Sequence, residues 1–148
     1  MGVLLAVWET PGHGGNGLPR REVAVISSVL VLDRELGYMF ALSQALRKRA
    51  IAAIPSCSVA EAEALVANLK PHLSVLLINC SCPGVCGFVT ALRQRMKNLR
   101  VVGITSHKRS CKQCALDYTL QDPEDRRADG IERCAEMLHM LIRGEPYQ

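Results

Sequence analysis

Two sets of residues in this sequence have types and spacings that could do chemistry. The first closes a series of apolar runs. Asp33 and Arg34 follow VLVL, Asn79 follows VLLI, Thr105 and Ser106 follow VVGI, and Gln121 and Asp122 follow DYTL. The second is seven cysteines: Cys57, Cys80, Cys82, Cys86, Cys111, Cys114 and Cys134. None of the run ends pairs a nucleophile with a base, so covalent catalysis is not expected and the chain does not read as an enzyme.

The cysteines offer sharper chemistry. Cys111-Lys-Gln-Cys114 is a CxxC, half of a zinc site or a redox pair. Lys108, Arg109 and Lys112 beside it would favour a thiolate. A thioredoxin-type CxxC opens the first helix after an early strand, whereas this one follows a late strand. A closed zinc site needs two further ligands. His107 is adjacent, and Cys134 or His139 could approach. The C-x-C-x3-C of Cys80, Cys82 and Cys86 fits no zinc or iron–sulfur spacing. Cys80 is expected to pack as a small apolar residue, with Cys82 and Cys86 on a loop. Cys57 supports no assignment, nor do His13 and His72. The odd count, without a secretory signal, predicts thiols and not a disulfide framework.

The elements that must carry these residues follow from periodicity. Residues 1–21 hold five of the eleven glycines, with Pro11 and Pro19. They read as a flexible leader, with a possible short strand at Gly2–Trp8, ahead of a domain over 22–148. Three apolar β-branched runs predict buried strands: one centred on Ser28–Leu32, SVLLINC (74–80) and RVVGITS (100–106). IAAIP (51–55) and DYTLQ are shorter strand candidates. Between them, Leu36, Met39, Phe40, Leu42, Ala45 and Leu46 recur on one helical face. Ser58 with Glu61 forms a capping box for the next helix, which Pro71 closes. PGVCG is a turn before a helix over Phe88–Met96, and a long helix runs from Asp122 or Pro123 to Gly144. Strands that are apolar throughout, alternating with helices, imply a five-stranded parallel sheet covered on both faces. In such doubly wound folds, sites form at the carboxyl ends of the strands. That is where Asp33, Asn79, Thr105 and Gln121 stand.

VLVLDRE, LLINCSCPGVCGF, VVGITS and DYTLQDP, in that order, resemble the blocks of CheY-like receiver domains of two-component response regulators. The resemblance runs from about Ser28 to Gly144, and its most specific part is Pro83-Gly84 with Gly87 three residues on. The ending LIRGEPYQ is similar to the tail of receivers of the NarL/FixJ group. The resemblance implies a flavodoxin-like sheet of order 2-1-3-4-5. It also implies phosphoryl transfer from a histidine kinase to an aspartate, with Mg²⁺ held by acidic residues and the phosphoryl group by a hydroxyl and a lysine. Here the aspartate's position, four residues before Pro83, is Asn79. The acidic pair falls on Asp33 and Arg34, the hydroxyl on Thr105, and the lysine on Gln121 or, one residue on, Asp122. Thr105 also suits a plain strand-end role. Arg34 would repel the ion. It could lock the site by pairing with Asp33 or Asn79 Oδ1, or simply turn into solvent. Mg²⁺ binding and phosphorylation are therefore expected to be lost. Tyr118 stands near the aromatic switch position, without its phosphoryl lever. Eleven residues lie between Thr105 and Asp117, which predicts a shortened fourth helix.

Composition limits the partners. The chain has 148 residues, 49% hydrophobic and 22% charged, with a net charge of +4. That charge is too mild to argue for nucleic acid. The basic stretches Arg47–Arg49, Arg93–Lys97 and Lys108–Lys112 lie on separate elements with no recognition helix among them. No apolar run is long enough for a membrane span. The expectation is a cytoplasmic pseudo-receiver without a cofactor, acting through a protein partner or as a homodimer. A cysteine-based redox or zinc sensor on the same scaffold is the alternative.

Overall fold

Apolar runs too short for helices become strands here, and each helix buries one stripe against them. The computed structural model describes residues 27–69, 72–106, 115–122 and 127–144. In chain order the elements are β1 (Ser28–Leu32), α1 (Leu36–Arg47), β2 (Ala52–Ser56), α2 (Val59–Leu69), β3 (Leu73–Asn79), α3 (Val85–Arg95), β4 (Arg100–Ser106), β5 (Tyr118–Asp122) and α4 (Ala128–Ile142). The sheet order is β2-β1-β3-β4-β5, with every pair parallel. This is the order that the receiver resemblance implies.

Alternation along β1 sorts the core into two layers. Val29 and Val31 face α1 and α4, together with Val75, Leu77 and Leu138. Leu30 and Leu32 face α2 and α3, with Leu76, Ile78 and Leu92. Each fully buried leucine contributes about 2 kcal/mol by leaving water. Half of the capping box on α2 is formed: Glu61 N–H donates to Ser58 Oγ at 3.1 Å, while the Glu61 carboxylate reaches one residue past the cap and accepts from Cys57 N–H at 2.6 Å.

Four expectations are corrected. Leu36 and Phe40 are 66% and 68% exposed, not core. The stripe that buries α1 is Tyr38, Met39, Leu42, Ala45 and Leu46. α3 starts at Val85, three residues earlier than periodicity suggested, because Gly84 (φ 79°) completes the turn by itself. Cys86 therefore sits on a helix and not on a loop. Asp122 ends β5 rather than opening α4. The leader, its possible strand, and residues 107–114 with the fourth helix expected there lie outside the described residues.

The connection from β4 to β5 is stapled where it rejoins the sheet. The Arg93 guanidinium donates to Ala115 O at 2.6 Å and to Asp117 Oδ2 at 2.8 Å. The same carboxylate oxygen accepts from Val101 N–H at 2.8 Å. Leu116 then packs over Gly103, where a Cβ would stand 2.7 Å from Leu116 Cδ1 and 2.9 Å from Cys80 Sγ. At the other edge, Ala52 N–H donates to Ser27 O. Alternation along β2 then turns the ring nitrogen of Pro55 outward, away from β1.

Candidate functional site

The strand order reverses direction between β1 and β3, and that is where the polar run ends meet. Leu32 pairs with Ile78, so Asp33 and Asn79, the next residues, stand side by side. Asp33 is 1% exposed. Its Oδ1 accepts from Arg34 N–H at 2.6 Å and Glu35 N–H at 3.2 Å. These donors lie just ahead of α1, so the carboxylate also complements the positive end of that helix. The backbone N–H of Asp33 donates to Ser56 O at 3.1 Å, which ties in the end of β2.

Asn79 joins the two loops. Its Nδ2 donates to Asp33 Oδ1 at 3.2 Å. Its Oδ1 accepts from Ser81 N–H at 3.0 Å and Ser81 Oγ at 2.8 Å. The amide thus uses its donor end on the β1–α1 loop and its acceptor end on the β3–α3 loop. No carboxylate could do both, since an ionised one only accepts. Ser81 was not singled out from the sequence. The signal was present: a hydroxyl residue two places after an asparagine at a strand end favours an Asx-type turn.

The remaining positions fall into place around this pair. Arg34 is exposed, and its side chain has no hydrogen bond or ion pair among the described residues. The lock imagined for it is not formed, since the bonds to Asp33 Oδ1 and Asn79 Oδ1 described above come from backbone N–H groups, Asn79 and Ser81. Thr105 is buried at the end of β4 and pairs in register with Gln121 on β5. Thr105, Gln121 and Asn79 thus share the carboxyl edge with Asp33, Asn79 pairing with Ile104 just before Thr105.

The cysteines divide between the layers. Cys80, Cys82 and Cys86 belong to the α2–α3 layer, with Cys82 buried. Cys134 is buried in the other layer, its Sγ 3.7 Å from the Tyr38 hydroxyl. Leu116, two residues after Cys114, packs on the α2–α3 layer, so Cys134 and His139 on α4 lie across the sheet from it. Cys111 and Cys114 themselves lie outside the described residues. Among the described residues no cluster of three or more His, Cys, Asp or Glu is placed to hold a metal, and no helix is long and apolar enough to cross a membrane.

No family model and no curated protein matches the sequence. Solved structures do match the fold. HP1043, an orphan response regulator of H. pylori, is 11% identical with a TM-score of 0.64, covering 79% of this chain and 97% of its own. A response regulator from Thermotoga maritima is 13% identical with a TM-score of 0.64, covering 80% and 98%. An atypical orphan response regulator with a phosphorylation-independent regulatory mechanism is 12% identical with a TM-score of 0.63, covering 82% and 99%. The fold is the CheY-like fold of response-regulator receiver domains.

Proposed function

We propose that this receiver-fold chain is a regulatory domain that works without phosphorylation. It acts by binding a protein partner or a second copy of itself, in cytoplasmic signalling of the two-component type or in control of transcription. Chemistry on a substrate is not part of this role.

The observation that carries the reading is the hydrogen bond from Asn79 Nδ2 to Asp33 Oδ1 at 3.2 Å. An amide oxygen is too weak a nucleophile to form an acyl phosphate. The carboxylate beside it is already engaged by that amide and by two backbone N–H groups. Mg²⁺ needs several hard oxygen ligands in near-octahedral order. The residues at this edge do not suit it: one buried carboxylate, a neutral amide, and Arg34 where a second acid would be. Gln121 supplies no cation for a phosphoryl oxygen. The atypical orphan regulator of similar fold, with its phosphorylation-independent regulatory mechanism, supports this reading. Leu36 and Phe40 are exposed one helical turn apart, beside the same edge, and they support contact with another protein.

The test is beryllofluoride or acetyl phosphate with Mg²⁺, followed by ¹⁹F NMR and intact-mass spectrometry. The expected result is no adduct and no change in the backbone spectrum. A stable adduct on any carboxylate overturns the reading.

A further inference from the structure

The amino edge of the sheet carries a second feature. A groove of about 560 Å³ runs between the turn after α3, the starts of β3 and β4, and the last turn of α4. Met96 and Ile142, both half-buried, give it an apolar floor, and Ser74 and Asn98 add hydrogen-bonding groups. Lys97 and Arg100 line it with exposed cations that make no ion pair among the described residues. Among the described residues, no carboxylate lines it. Basic residues are ordinary where helices end, because they answer the negative end of the helix. Arg95, Lys97 and Arg143 have that explanation. Arg100 opens a strand and does not.

We infer that this amino-edge groove docks an acidic peptide segment carrying an aliphatic or aromatic anchor. The anchor covers Met96 and Ile142 while flanking carboxylates meet Lys97 and Arg100. Charge complementarity selects this occupant, and the apolar floor separates it from a nucleic-acid backbone, which has no use for one. The inference deepens the protein-binding part of the proposed function and rests on that part alone.

The experiment titrates the full chain with the fluorescein-labelled peptide EDLFEDE, with EDSSEDE, KKLFKKK and a random DNA duplex as comparators. Saturable binding of EDLFEDE alone is expected, with ¹⁵N shift changes confined to residues 73–74, 96–100 and 141–144. The double variant Lys97→Glu with Arg100→Glu should weaken it about tenfold or more, given two charge reversals on the rim. Lys97→Gln with Arg100→Gln, which leaves the groove's shape alone, should weaken it less but in the same direction. Absence of saturable binding, equal binding of EDSSEDE or DNA, undiminished binding by the variants, or shifts elsewhere would each overturn the inference. The beryllofluoride trial reads phosphorylation independently, so the two readings fail separately.

Discussion

One amide sets the character of the carboxyl edge. Asn79 donates to Asp33 and accepts from Ser81, so two loops are held by a neutral group where a charged one would need a cation. Asn79→Asp removes the donor and sets two carboxylates against each other. The substitution should lower stability by about 2 kcal/mol at neutral pH, the usual scale for losing a buried bond to a charged group. It should still take up no phosphate from acetyl phosphate and Mg²⁺, because Arg34 and Gln121 remain. A melting curve and intact mass check both; an unchanged melting point or a phosphorylated variant would contradict this account. The identities of Asp33, Asn79 and Thr105 were legible because they end apolar runs that match receiver blocks, Asn79 lying four residues before Pro83. The orientation of Arg34 was not. A guanidinium on a long flexible stem keeps its hydration unless burial returns more than desolvation costs, and spacing does not encode that balance. Ser81 was missed for a simpler reason: a serine in a loop is unremarkable until its neighbour's amide is seen to need it.

At the scale of elements, hydrophobic pattern carried most of the information. β1, β3 and β4 are apolar on both faces and could hardly be anything but interior strands. α1 was harder, because six apolar residues competed for one stripe and a helix of this width buries only part of its circumference. Tyr38 won a place that Phe40 was expected to hold. The β4–β5 connection was the least legible, since Arg93 reads as one more solvated cation on a basic helix. In the fold it meets Ala115 O, Asp117 and, at 3.4 Å, Leu99 O. Arg93→Ala should cost about 1–2 kcal/mol, more than an exposed ion pair alone provides, because backbone carbonyls lose a donor as well. Hydrogen exchange should rise in residues 115–122 while β1 and β3 keep their protection. Uniform acceleration across the sheet would show that Arg93 acts on the whole fold and not on this connection.

For the whole molecule, the sheet order and both core layers followed from the receiver resemblance, whereas the surfaces did not. Pattern analysis assigns apolar residues to the interior, so it placed Leu36 and Phe40 inside. The double variant Leu36→Ser with Phe40→Ser should leave stability within about 0.5 kcal/mol of the parent, as for other exposed substitutions. It should lose self-association or partner capture if that patch is a contact. Sedimentation or pull-down against the parent chain measures this, and a large drop in melting point would instead return both residues to the core. The two edge strands of the described sheet also differ. On the β2 side, Pro55 presents a ring nitrogen where a strand from another molecule would look for a hydrogen to accept. Lateral growth from that margin would begin with a gap in its ladder. Any strand-by-strand polymerisation of this protein should therefore start from the β5 margin.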